Sequence, residues 1–185
     1  MRLPAQADYA AAGALNFTEG EVNIDGQPLA SRGTGAADAE GGPRRLRVGQ
    51  TLATAHGSAD LLLAPGALLR LGENTTVQMV SADGGRTEVR LEDGRANVSV
   101  HVVRKDHLLL VDLPNGQTQI LSGGLYTFNA AGDALHVYNG EAFVFPGSDT
   151  ATDVKPITVK EGHEVALGGE KPRPEKFDRE VADDD

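Results

Sequence analysis

Metal binding or proton transfer in this 185-residue chain would fall first to its five histidines, His56, His101, His107, His136 and His163. Imidazole titrates near neutral pH and is the commonest metal ligand, but a site needs two or three rings converging. No pair shows a tight ligand spacing such as H-x-H or H-E-x-x-H. His101 and His107 flank what reads as one hairpin and would meet across it in the right register; solvent-facing strand positions are the plainer reading. Among the carboxylates, Asp60 stands beside Leu61-Leu62-Leu63 and is the one best placed for partial burial, with an exposed strand face as the plainer alternative. Glycosidase chemistry needs two carboxyl groups in separate environments, and no such pair is identifiable. Gly72-Glu73-Asn74 and Asp83-Gly84-Gly85 could offer oxygens to calcium from a loop, but no EF-hand loop is present. Cysteine is absent, which removes thiolate nucleophiles, disulfides and Cys-based zinc sites. There is no G-x-S-x-G elbow, and the Gly-rich Arg32–Gly42 stretch lacks the Lys-Ser/Thr of a phosphate-binding loop. The residues thus point to no catalytic, metal or cofactor site, and they do not identify binding residues. Asn16, Asn74 and Asn97 head N-x-S/T triplets, which matter only in a glycosylating host.

The elements that would carry any site are strands. Alternation with period two recurs from about Leu15 to Leu167, and no window of a dozen residues shows helical spacing. Val98, Val100 and Val102 alternate with Ser99 and His101 and predict a half-buried strand; Leu109, Val111 and Leu113 form one face of the next. Further strands are expected over residues 21–25, 59–64, 68–71, 76–80, 87–91, 117–121, 125–129, 134–138, 141–145, 157–160 and 164–167. Asp25-Gly26, Asp93-Gly94, Asn115-Gly116 and Asn139-Gly140 punctuate them with residues that tolerate positive φ. A turn glycine followed by an alternating strand recurs at Gly20, Gly94, Gly140 and Gly162, at unequal spacings that exclude a regular repeat array. With 39% apolar residues but only 4% aromatic and no Trp, the core must be aliphatic.

Charge and hydropathy narrow the partners. A net charge of −10 without a basic run argues against nucleic acid, because phosphate contacts require a cationic footprint. No apolar stretch approaches the roughly 20 residues of a membrane-spanning helix. Residues 1–13 read as an N-terminal leader; Ala5-Gln6-Ala7 before Asp8 has the form of a signal-peptide cleavage site, though few residues precede it. Residues 14–169 form the expected all-β domain, with a flexible Gly/Ala-rich loop at 31–43. Residues 170–185, poor in apolar side chains and ending Asp183-Asp184-Asp185, read as an acidic disordered tail.

One stretch goes beyond generic β pattern. Val48-Gly49-Gln50-Thr51-Leu52-Ala53-Thr54, Gly57 to Leu63, and Pro65-Gly66-Ala67-Leu68-Leu69-Arg70-Leu71-Gly72-Glu73-Asn74-Thr75 resemble, in order, the successive elements of the FecR domain family. The likeness continues through Leu91-Glu92-Asp93-Gly94, Pro114-Asn115-Gly116, Tyr126, Val137-Tyr138-Asn139-Gly140 and Glu161-Gly162, covering about Leu46 to Leu167. Leu113 departs from it, standing where a Thr often precedes the Pro-x-Gly turn. The resemblance implies a jelly-roll-like double-sheet sandwich, or alternatively an irregular β-solenoid, lying in the periplasm or elsewhere in the cell envelope or extracellular space. The best-known members relay a signal from an outer-membrane receptor to a sigma factor. They carry a cytoplasmic segment and a membrane helix that these residues do not contain, so the domain type is implied more strongly than the signalling role.

The expected function follows in three steps. First comes a non-catalytic binding and interaction module of the bacterial envelope, engaging an envelope protein, or itself, through a sheet face or strand edge. Second comes a structural component of an envelope or surface assembly. Last comes a carbohydrate-active enzyme on a β scaffold.

Overall fold

A computed structural model describes residues 12–29, 44–147 and 154–178. The predicted loop at 31–43, most of the predicted leader and the last seven residues lie outside the described residues.

The chain is all-β, with no helix among the described residues. Its strands are β1 (Leu15–Ile24), β2 (Gln27–Pro28), β3 (Thr51–Ala64), β4 (Ala67–Leu71), β5 (Thr76–Asp83), β6 (Arg86–Asp93), β7 (Arg95–Val100) and β8 (Leu108–Leu113). They continue with β9 (Gly116–Ile120), β10 (Gly124–Asn129), β11 (Ala134–Asn139), β12 (Glu141–Pro146), β13 (Ile157–Lys160), β14 (His163–Ala166) and β15 (Glu175–Lys176). All join one sheet, ordered β13-β12-β9-β8-β6-β5-β3-β4-β7-β10-β11-β14-β15, with β1 attached along β3 and β2 paired with β1.

β3 turns this one sheet into two layers. At 14 residues it is long enough to pair β5 through Thr51–Ala53 and β4 through Ala59–Ala64. The sheet curls about it, so that β4, β7, β10, β11 and β14 face β5, β6, β8, β9, β12 and β13. The chain passes back and forth between layers and advances steadily along both, which gives the sandwich-like fold a solenoid-like progression. One consequence is that β6 and β8 pair in parallel while every other pair is antiparallel. Alternate residues of each strand meet in the interlayer core: Leu61, Leu69, Val77, Met79, Val89, Val98, Phe128, Leu135, Val137 and Val144 are each fully buried. Aliphatic side chains fill most of this space, and Tyr126 and Phe128 are its largest members.

Two turn residues show why the punctuation works. Gly94, between β6 and β7, has φ +81°, and a Cβ there would lie 2.4 Å from Thr75 Oγ1 and 2.5 Å from the Asn74 carbonyl. Gly140, between β11 and β12, has φ +99°, and its missing side chain makes room for the Tyr126 hydroxyl, which a Cβ would approach to 2.2 Å. That hydroxyl donates to the Ser122 carbonyl at 2.8 Å and accepts from the Glu141 amide at 3.1 Å, tying β10 to the start of β12. Burial raises the Tyr126 pKa above its ordinary value.

Two expectations are corrected. The strand carrying Val98 and Val100 ends at Val100, and Val102 is 62% exposed. His101 and His107 do not flank a hairpin, because the chain between them crosses from one layer to the other: β7 pairs β4 and β10, whereas β8 pairs β6 and β9. Alternation reports only that residues share a face, not which strand lies alongside. Part of the stretch read as a tail pairs with the sheet. Glu175 and Lys176 pair with Glu164 and His163 as strand β15, and the Phe177 ring lies edge-on to His136 and Tyr138 at 5.3 and 5.0 Å between centroids.

Candidate functional site

Register builds a polar ladder on the outer face of one layer. Asp60 on β3 lies opposite Arg70 on β4, Arg70 opposite Asn97 on β7, Asn97 opposite Thr127 on β10, and Thr127 opposite His136 on β11. His136 in turn faces Glu164 on β14, and Glu164 faces Glu175 on β15. Residues opposite each other in register share a face, so these polar side chains cross the sheet in one row. Neighbours along it hold each other. Arg70 donates through Nε and Nη2 to the two Asp60 oxygens at 2.9 and 3.0 Å, and Thr127 Oγ1 donates to Asn97 Oδ1 at 2.7 Å. His136 Nε2 contacts the Glu164 carboxylate. The fork-on-carboxylate geometry raises the Arg70 pKa above its ordinary value and fixes a guanidinium that is 64% exposed.

Above this row runs an open groove of about 630 Å³. Glu73 and Asn74, in the turn between β4 and β5, rim one end; Leu125 and Tyr138 close the other; Arg70, Asn97 and Thr127 form the floor. The rim is held by Thr75. Its side chain is fully buried, donates to the Glu73 and Arg95 carbonyls at 3.0 and 3.1 Å, and accepts from the Arg95 amide at 3.2 Å. The groove is open, and its floor offers a guanidinium held by Asp60 beside an amide and a hydroxyl that bond each other. Such a surface suits contact with an extended partner better than enclosure of a small molecule.

The other layer holds a second cluster that sequence reading did not single out. Glu88 on β6, Asp112 on β8 and Gln117 on β9 lie on one face. Gln117 Nε2 donates to Glu88 Oε1 at 3.1 Å and to Asp112 Oδ1 at 2.9 Å. Arg86 Nε donates to Glu88 at 2.9 Å, and Arg90 Nη2 stands 3.7 Å from Asp112 Oδ2. Both carboxylates are buried. Loss of water, followed by the nearby Glu88 carboxylate, pushes the Asp112 carboxyl up to about 7. The cavity beside it, near Arg90 and Gln117, measures about 230 Å³, and the described residues that line it include no histidine or serine. One signal in the sequence could have found half of the pair: Asp112 falls among the apolar residues of Leu108–Leu113. Only the parallel β6–β8 register brings the pair together.

The residues weighed from the sequence take separate places. Asp60 is buried, against the plainer reading of an exposed position, because β1 and β4 flank it on both sides and Arg70 covers its charge. Glu73 stays on the groove rim. Asp83 closes its own turn by accepting from the Gly85 amide at 3.0 Å, a bond that lowers its pKa. His107 bonds Thr87 Oγ1 at 2.9 Å and the Gly84 carbonyl at 3.2 Å, while His101 and His56 are exposed. His163 Nδ1 lies 3.0 Å from the Glu161 carbonyl. Among the described residues, no three His, Asp or Glu side chains converge as metal ligands.

Comparison with known proteins places this geometry. The family described as "FecR protein" matches residues 50–160, from the start of β3 to the end of β13. No curated protein matches. Two crystal structures described as a "putative anti-sigma factor" from Parabacteroides distasonis share the fold. They superpose with a TM-score of 0.56 each at 14% and 13% identity, covering 72% of this chain and 62% of theirs. At that identity the likeness is one of fold, and this chain spans less than two thirds of those proteins.

Proposed function

The chain belongs to the FecR family, and from that premise we propose that it is a non-catalytic binding module of the bacterial envelope, acting in envelope sensing or signalling through the outer groove. The observation that carries the reading is the ladder from Asp60 to Thr127: a continuous polar floor, preorganised by its own hydrogen bonds and open along its length. A floor whose side chains are already held loses little entropy on binding. The partner it suits is an extended segment of another envelope protein. The two buried carboxylates, Glu88 and Asp112, are bridged by an amide and flanked by two arginines, which makes them a structural cluster rather than an acid–base pair facing a substrate. A place in the periplasm or on the cell surface belongs to the same proposal.

The test is differential cross-linking in envelope preparations of a bacterium expressing the full chain. Thr127→Arg fills the groove floor; Thr158→Arg, on the opposite layer, is the control. The reading expects a defined set of envelope proteins to be lost with Thr127→Arg and kept with Thr158→Arg. Equal cross-linking by both variants and the wild type overturns it. Turnover of a glycan that disappears with Asp112→Asn overturns the non-catalytic part.

A further inference from the structure

We propose that His107 is a proton-operated clasp on the crossover between β7 and β8. With hydrogen on both ring nitrogens it pins that segment to the sandwich; loss of one proton releases it. The crossover, residues 101–107, carries the chain from one layer to the other. At its end the His107 ring reaches two places on the facing elements. Nε2 lies 2.9 Å from Thr87 Oγ1 on β6, and Nδ1 lies 3.2 Å from the Gly84 carbonyl in the turn between β5 and β6.

Counting hydrogens fixes the state of the ring. The Thr87 hydroxyl has one hydrogen and donates it to the Leu63 carbonyl at 2.8 Å. Leu63 is fully buried at the β3 bulge between Leu62 and Ala64, outside the register that pairs β3 with β4, and the Thr87 hydroxyl serves its carbonyl. With that hydrogen committed, Thr87 Oγ1 accepts from the ring, and the Gly84 carbonyl is an acceptor by nature. All three bonds form together only when both ring nitrogens donate, which is the charged imidazolium. A neutral ring has one N–H and keeps two of the three. If Nε2 carries it, Gly84 loses its donor; if Nδ1 carries it, the Thr87 hydroxyl turns to Nε2 and Leu63 loses its own.

The closed clasp uses a proton that the open one does not need, so acidification favours closure and a rise in pH favours opening. The charges around the ring balance. Asp83 and Arg104 line the cavity beside it, Arg104 donates to Asp106 at 3.1 and 3.0 Å, and Asp106 is within electrostatic reach of the ring. Lys105 is exposed on the same segment, while Arg86 and Glu88 lie on the face of β6 opposite Thr87 and hold each other. Release extends to the next residue, Leu108, whose amide donates to the Gly85 carbonyl at 2.8 Å where the parallel β6–β8 pairing begins.

Hydrogen–deuterium exchange of the full chain, read by mass spectrometry from about pH 5 to about pH 8, tests the clasp across the range where imidazole titrates. Rates are expressed as protection relative to the free peptide, so that the pH dependence of exchange itself cancels. Protection of residues 101–108 should fall about fivefold or more as pH rises, the worth of one hydrogen bond involving a charged group. His107→Gln should stay at the lower level throughout, and His101→Gln, on the same segment, should keep the wild-type dependence. Thr87→Val keeps the imidazole but removes the competing hydroxyl, so a neutral ring satisfies Gly84 and the dependence should vanish or reverse. Wild-type protection that does not change with pH overturns the proposal, as does an unchanged dependence in Thr87→Val. Should that variant fail to fold, the nitrogen NMR resonances of the wild-type His107 ring decide. Both must read as protonated while the segment is protected, and a neutral ring under a fully protected segment overturns the clasp.

Discussion

Replacing Asp112 with Asn should stabilise the protein at alkaline pH, which is the opposite of what removing a hydrogen-bonded buried side chain ordinarily does. The folded protein holds the Asp112 proton up to about pH 7, against an ordinary value of 3.8. Because the folded-state pKa is the higher one, the folded state binds more protons than the unfolded state between those limits. This contribution to stability is therefore complete below about pH 4, declines as pH rises from there to about 7, and stays lost above. About three pH units correspond to about 4 kcal/mol. Water that reaches the cluster past the partly exposed Arg86 and Arg90 relaxes part of this desolvation and roughly halves the figure, leaving about 2 kcal/mol. The carboxamide that replaces the carboxyl cannot ionise, occupies nearly the same volume, and can still bond Gln117. Urea denaturation of both proteins from about pH 4.5 to about 8.5 isolates the cluster, since carboxylates remote from Asp112 and Glu88 contribute equally and cancel in the difference. The variant should gain about 2 kcal/mol on the wild type across this range, or about 4–8 °C in melting temperature for a domain of this size. Parallel curves would refute the reasoning and show that Asp112 does not hold its proton toward neutral pH.

Other expectations follow from single contacts. Tyr126→Phe removes the hydroxyl that serves Ser122 and Glu141 and should cost about 1–2 kcal/mol in chemical denaturation. Gly94→Ala forces a Cβ into Thr75 at a positive φ and should cost about 2 kcal/mol or more, read as a lower melting temperature with the far-ultraviolet spectrum unchanged in shape. Val100→Asp places a carboxylate at a site that is 5% exposed and should cost several kcal/mol; a melting temperature within a degree or two of wild type would refute the assigned facing.

The strands were legible because each residue in an alternating run responds mainly to one local fact, which face it lies on. That suffices for most of β6 to β14, for the turns at Asp25-Gly26 and Asn139-Gly140, and for the aliphatic core. It also suffices for the family, whose signature is an ordered series of such turns and strands. Where a strand stops was less legible: Val102 continues the pattern of Val98 and Val100 but has no strand beyond β7 to cover it. Partnership between strands was not legible at all. Asp60 is buried because β1 returns along β3, and Glu88 meets Asp112 because β8 enters parallel to β6; both depend on contacts remote in sequence. Phe177 looked like part of a tail because burial of one ring offers little to an isolated segment. Its docking depends on a surface prepared by His136 and Tyr138, far earlier in the chain. Local composition determined what each segment of this protein would form; the curl of one sheet about β3 decided which of its polar side chains would share a face.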